Sequence, residues 1–344
     1  MFHLSSAFSF GAAFATAFSI MLSCGNWFAR RMRAWQKLGQ PIRNFTPASH
    51  LAKAGTPTMG GILLVSAIVV SSLLFMNWNS AHGWIALASL VSFAVIGFVD
   101  DYGKLRWRSA DRGLSARGRL LAEGLIVIIF AYFINRTMPG TPAHHLSVWL
   151  PFGLPALRLG IFYFVFAYIV IAGAANAANI SDGLDGMSSK IFLPILCVMA
   201  VTAFGATHFG LFANAAFLPE SGALYPVMGA ALGAVLGFLW FNAKPAVIFM
   251  GDVGSLAIGG FIGTAAMLLK AEVVMGIASL MMVIILASSV IQTVSYRLTG
   301  KSVFLMAPLH HHFEMKGAPE TKISERFFII SILFSLLALA ILKS

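Results

Sequence analysis

Nine of the twelve carboxylates in this 344-residue chain fall in short polar strings between long apolar runs. Five of them are concentrated in three strings, GFVDDYGK at 97–104, NAANISDGLDG at 176–186 and IFMGDVGS at 248–255. Each string sits hard against the end of an apolar run, where a carboxylate reaches interfacial water. Aspartates delivered to one face of a membrane protein by three separate segments supply the hard oxygen ligands that Mg²⁺ prefers. Asn176, Asn179, Asp182 and Asp185 step by three, so neighbours in the series share a helix face, while each step drifts about 60° on a straight helix. Gly183 and Gly186 allow unwinding there, and Asn179 with Asp182 is the pair expected to stay together. Asp100 and Asp101 are successive, so on a helix they diverge and have different partners.

Two further strings carry polar chemistry. GTPTMGG at 55–61 offers Thr56 as a cap and Pro57 at a first helical position. It reads either as a well-made helix start or as a phosphate-accepting N-terminus with Lys53 beside it. PLHHHFEMKG at 308–317 contains three consecutive histidines, His310, His311 and His312. Adjacent side chains point different ways and thiol ligands are lacking, which disfavours a transition metal. A contact to polyphosphate or nucleoside, or a solvated loop cluster, remains. The basic string from Lys104 to Arg119 is either a docking surface for an anionic substrate or ordinary loop charge.

The elements that must position these strings are membrane spans. Apolar residues make up 59% of the chain and charged residues 10%, where soluble domains carry about 25% charge. Mean hydropathy is +0.86. These values exclude a soluble globular protein, a disordered chain and a coiled coil. Runs long enough to cross a core of about 30 Å occur near 10–29, 58–76, 83–99, 119–135, 159–176, 187–206, 222–241, 255–270, 272–294 and 326–342. The expected fold is a single all-α polytopic domain spanning residues 1–344, with about ten transmembrane helices. Segment 137–158, broken by prolines, reads as an amphipathic or hairpin excursion. The first 20 residues contain no Lys or Arg, so the first run is expected to stay as a span. Cys24 and Cys197 lie inside apolar runs and read as small buried hydrophobes.

Charge sets the expected orientation. The connections after the odd-numbered spans hold 19 of the 23 basic residues. The opposite face keeps Arg136, Arg158, Lys270 and Lys343. Those 19 place the acidic strings at the cytoplasmic face and both termini outside. The net charge of +11 is thereby explained by membrane topology, and nucleic acid is excluded as a partner.

In this order and on one face, GTPTMGG, FVDDYGK, NAANISDGLDG, FNAKPAVIFMGDVGS and APLHHHFEMKG resemble the polyprenyl-phosphate N-acetylhexosamine-1-phosphate transferases. The histidine string resembles the bacterial branch that handles phospho-N-acetylmuramoyl-pentapeptide. The resemblance runs from about residue 53 to 326. It implies a Mg²⁺-dependent enzyme of the bacterial inner membrane, acting on UDP-N-acetylmuramoyl-pentapeptide and the membrane lipid undecaprenyl phosphate. The products would be the first lipid-linked peptidoglycan precursor and UMP.

By matching motif positions, the resemblance implies Asp252 as the first Mg²⁺ ligand, with Asp182 as a second. It implies Asp100 as the residue that deprotonates or orients the lipid phosphate. Asp182 with Asn179 would lie beside the nucleotide. Asp101 and Lys53 would join the catalytic set, and Lys104, Arg119, Asn176, Asn242, Phe249, His310, His311 and His312 would complete the substrate pocket. Where family members commonly carry lysine in the second cytoplasmic loop, this chain has Arg108 and Arg119; charge is kept, but a planar fork replaces a point donor. Association as a homodimer is left open. The alternatives are transfer of another N-acetylhexosamine phosphate, against which the HHHFE string argues, and an ion-coupled transporter. Transporters place ionisable groups near the bilayer midplane, whereas span centres here are almost free of charge.

Overall fold

The computed structural model describes residues 6–36, 55–109, 113–138, 146–152, 154–208 and 221–342. The α-helices are α1 Ser6–Gln36, α2 Gly61–Phe75, α3 Ala81–Arg106, α4 Ala116–Thr137, α5 Tyr163–Ile180 and α6 Met187–His208. They continue with α7 Tyr225–Asn242, α8 Gly251–Leu268, α9 Glu272–Ala278, α10 Leu280–Thr299, α11 Leu309–Met315 and α12 Glu320–Leu342. Among the described residues, nine helical segments are long and apolar enough to cross a membrane. The tenth expected span, 58–76, is the 15-residue α2, about 22 Å long at 1.5 Å per residue. The run at 272–294 is also not one helix: it breaks at Ser279 into α9 and α10. Among the described residues of the proline-rich excursion, β1 Ser147–Val148 pairs antiparallel to β2 Leu157–Arg158, a short hairpin.

Local signals explain several boundaries. Ser80 caps α3 by accepting from the Gly83 N–H, and Ser115 caps α4 by accepting from the Gly118 N–H at 3.1 Å. Gly300 ends α10 with φ +67, the left-handed conformation that glycine adopts without a side-chain penalty. Cys24 is half-buried and Cys197 is exposed on the outside of α6. Their expected full burial is therefore corrected: a thiol that faces the apolar surroundings of the bundle need not be inside it.

α8 is the innermost helix. Every one of its residues is buried except Asp252, so the only side chain of this helix that reaches an opening is an acid. Its neighbours come close because side chains are absent at the crossings. A Cβ on Gly61 of α2 would lie 2.4 Å from the Gly254 Cα, and one on Gly97 of α3 would lie 2.2 Å from the Asp252 carbonyl oxygen. On the other side of the bundle, Gly229, Gly233 and Gly237 line one stripe of α7 against the α1 backbone. Small residues at such spacing let helices pack by backbone approach, which matters where lipid gives no hydrophobic drive between helices.

At the end away from the acidic strings, Lys270 fastens the hairpin to the helices. Its ammonium donates to the Ser147 carbonyl at 3.2 Å and to the Tyr163 hydroxyl at 2.7 Å. It also lies 4.2 Å from the Tyr163 ring centre. The same hydroxyl donates to Glu272 at 3.2 Å.

Candidate active site

The site is organised by the start of α8. Gly251 turns the chain into the helix with φ +73, and a Cβ there would lie 2.5 Å from Asp101 Oδ2. The first N–H groups of any helix lack internal partners and favour negative charge. Here two other segments supply it. The Val253 N–H donates to Asp101 Oδ2 of α3 at 3.2 Å, and the Gly251 N–H donates to Asp182, which lies just past the end of α5. Asp252 itself occupies the first turn. Asn179, in the last turn of α5, donates to Asp252 Oδ1 at 2.8 Å and to Ser255 Oγ at 3.1 Å.

Asp100, Asp101 and Asp252 each offer an oxygen, and these oxygens lie within 4.8 Å of one another. Lys104 donates to Asp252 Oδ2 at 2.8 Å and forms an ion pair with Asp100 one turn back on α3. Asp100 Oδ1 accepts from the Leu114 N–H at 2.6 Å. A Cβ on Gly113 would sit 2.4 Å from that oxygen, so a larger residue there would have to displace the Asp100 carboxylate. The two successive aspartates therefore do have different partners. Three carboxylates against one ammonium leave two formal negative charges, and the donors are hard oxygens. That donor set fits a Mg²⁺ ion.

Asp182 is not one of the three clustered carboxylates. Its Oδ1 accepts from Ser188 Oγ at 2.5 Å, and burial pushes its carboxyl up to about 6. The chain unwinds between Ile180 and Met187, with Gly186 at φ +70. Asn179 and Asp182, whose backbones are joined by a 3.1 Å hydrogen bond, both meet the start of α8.

The three histidines divide. His310 is wholly buried, its ring against Gly183, where a Cβ would lie 2.2 Å from Nε2. His311 Nδ1 is 2.6 Å from Glu314 Oε2. His312 Nδ1 accepts from the Leu305 N–H at 3.1 Å and so fastens segment 301–305.

Several expected pocket residues work as braces. Asn242 is buried, its Oδ1 accepting from the Gly186 N–H at 3.2 Å and its amide donating to the Ile248 carbonyl at 3.0 Å. The Phe249 N–H donates to the Pro57 carbonyl at 2.8 Å. Gly60 and Gly61 give their N–H groups to the Phe249 and Met250 carbonyls at 2.9 and 2.8 Å. This corrects the expectation of a phosphate-accepting N-terminus in GTPTMGG: those donors are already spent, and α2 begins at Gly61, four residues after Pro57. Lys53 lies outside the described residues. Asn176 points to α4, where its Oδ1 accepts from Arg119 Nη2 at 3.1 Å and its amide donates to Glu123 Oε2 at 2.6 Å.

Sequence reasoning missed Glu123, Ser188, Ser255 and the Leu114 N–H. A lone acid inside an apolar run was the available signal for Glu123. The serines and the backbone donor carry none.

The glycosyl transferase family 4 model matches residues 83–270, and phospho-N-acetylmuramoyl-pentapeptide-transferase signature 1 matches residues 53–65. Two proteins of Rhodopseudomonas palustris, from strains BisB18 and BisA53, are each named phospho-N-acetylmuramoyl-pentapeptide-transferase. Each is 41% identical over 345 residues, covering 98% of this chain and 93% of the relative. The stretch matched by the family model contains all three clustered aspartates, Lys104, Asn179 and Asp182. On identity of that extent across its whole length, the chain belongs to the phospho-N-acetylmuramoyl-pentapeptide-transferase family.

Proposed function

We propose that this multi-pass inner-membrane transferase moves phospho-N-acetylmuramoyl-pentapeptide from UDP-N-acetylmuramoyl-pentapeptide to undecaprenyl phosphate, with Mg²⁺, at the cytoplasmic face. The observation that supports this most directly is the meeting of Asp100, Asp101 and Asp252 around the start of α8, with Lys104 between two of them. A lipid phosphate stays at the interface, so its partners must stand at helix ends, as these do. The side on which 19 basic residues gather supports the cytoplasmic assignment.

Asp252 with Asp100 and Asp101 would hold the metal, which when bound neutralises charge on the diphosphate and on the leaving UMP. Asn179 fixes one oxygen of Asp252, leaving the other toward Lys104. Lys104 provides a point charge that can turn to a phosphate oxygen. Asp100 acts by orientation: one oxygen takes the Leu114 N–H and the other faces Lys104. A phosphate monoester has a second pKa near 6, so at pH 7 the acceptor is already mostly dianionic and needs placing more than deprotonating. Asp182, whose carboxylate takes the Gly251 N–H at the start of α8, and His310, packed on Gly183 of the same unwound segment, would serve the nucleotide.

The test is UMP release by purified protein given both substrates, with and without Mg²⁺. Release that needs both substrates and stops on chelation is expected. Release of UMP without the lipid phosphate, or unaffected by chelation, overturns the proposal.

A further inference from the structure

Glu123 is a carboxylate with no exposed surface inside an apolar helix, and removing such a group from water is costly unless it is held by donors. It is held on one side only. Oε2 accepts from the Asn176 amide at 2.6 Å, while Oε1 has no hydrogen-bond partner and lies 3.8 Å from Arg119 Nε. A carboxylate can only accept, so it fixes which way the Asn176 amide faces. The NH₂ group is committed to Glu123 and to the Ala172 carbonyl at 2.9 Å, and the carbonyl oxygen is thereby aimed at Arg119 Nη2 at 3.1 Å. Arg119 is thus pinned by one terminal nitrogen. Its Nε has no hydrogen-bond partner, and its side chain is 23% exposed.

Depth gives this arrangement a direction. Asn179 touches Asp252, and Asn176 is three residues earlier on α5, a rise of about 4.5 Å away from the acidic end and into the apolar body. Arg119 is therefore on the apolar side of the carboxylate triad. A nucleotide arrives from the aqueous side; a phosphate carried on a lipid arrives from the apolar side. The exposed Leu120 and Leu121 beside Arg119 suit a lipid chain, and a guanidinium fork matches phosphate oxygens.

We infer that Glu123 is a positioning residue which, through Asn176, holds Arg119 as the cation for the acceptor's lipid phosphate. This rests on the proposed transferase reading and adds to it a residue and a side of approach. The test uses the full-length purified chain with Glu123→Ala and Glu123→Gln, measuring KM for undecaprenyl phosphate and for the UDP donor separately. Glu123→Ala is expected to raise the acceptor KM about tenfold or more and leave the donor KM within about twofold, a loss of binding confined to one substrate. Glu123→Gln keeps an acceptor oxygen for Asn176 and should recover to within about threefold of wild type. An unchanged acceptor KM, a parallel rise in both KM values, or a Gln variant no better than Ala overturns the inference. If the Ala variant does not extract as monodisperse protein, Glu123→Gln decides, and a rise of about twofold or more in the acceptor KM alone is the supporting result. Wild-type protein that releases no UMP would instead mark failure of the transferase reading. The shift in Tm caused by undecaprenyl phosphate alone then settles the role of Glu123: a smaller shift in the Ala variant supports it and an equal shift overturns it.

Discussion

The carboxylate of Asp101 caps a helix to which it does not belong: its Oδ2 accepts from the N–H of Val253, the third residue of α8, at 3.2 Å. An asparagine there keeps an acceptor oxygen and removes a charge crowded by two other carboxylates. Asp101→Asn is therefore expected to hold or raise Tm while turnover falls about tenfold or more, which is the usual exchange of stability for function at such sites. Asp101→Ala should lose both, with roughly 1 kcal/mol of capping energy gone. Thermal unfolding and UMP release on the two variants check this, and a turnover for Asp101→Asn equal to wild type would contradict it.

Asp252 is expected to be indispensable, and Asn179 to act through it. Asp252→Ala should abolish Mn²⁺ binding measured by paramagnetic resonance and leave less than about a tenth of the turnover, more than about 1.4 kcal/mol in the barrier. Asn179→Ala should weaken both without removing either. An Asp252→Ala protein that still binds Mn²⁺ as wild type does would remove this residue from the ligand set.

Asp100→Asn should lose activity by the same factor from pH 6 to pH 9. Both oxygens of Asp100 already face donors, Leu114 N–H and Lys104, and an orienting group is not replaced by hydroxide. Partial recovery toward pH 9 would assign it the role of base after all.

Asp182 gives a pH-dependent stability. Its folded pKa is raised from 3.8 to about 6, so the folded state binds the proton more tightly than the unfolded chain does. The resulting stabilisation is complete below about pH 3.8 and is lost as pH rises through 6. Asp182→Asn, which resembles the protonated form, should match wild type in Tm at pH 4 and exceed it at pH 7. Equal Tm differences at the two values would show that the carboxyl is not shifted.

The α1–α7 seam predicts a contrast between glycines. A Cβ at Gly233 would lie 2.2 Å from the Phe14 carbonyl oxygen, whereas one at Gly173 would meet nothing within 4 Å. Gly233→Ala should destabilise by about 1–3 kcal/mol and Gly173→Ala should leave Tm unchanged or slightly higher. The reverse order would mean the two helices are further apart.

The apolar runs and the acidic strings at their ends were legible because membrane length and charge are properties of single segments. Where the answer depended on a second segment, the sequence was silent. Nothing in 272–294 marks the break at Ser279, since both halves are apolar. The start of α2 looked like an anion site because the carbonyls of Phe249 and Met250, which take its donors, come from nearly 190 residues away. The partners of Asn176, Arg119 and Glu123, were hidden for the same reason: they are on another helix. Asp100 and Asp101, by contrast, were separable in advance, because helical geometry alone sends successive residues apart. The histidine triplet was legible only as a cluster, and its division among the wholly buried His310, the paired His311 and the loop-fastening His312 needed Gly183, Glu314 and Leu305 in place.

The cap that Asp101 places on Val253 joins residues 152 positions apart, and this has a consequence for the making of the protein. α3 enters the membrane long before α8 is synthesised; Asp100 finds Lys104 on its own helix and the Leu114 N–H soon after, but Asp101 waits for Val253. Until α8 arrives, the acidic triad is not assembled. A chain arrested or truncated before Gly251 is therefore expected to release no UMP, because its most enclosed helix brings the third carboxylate.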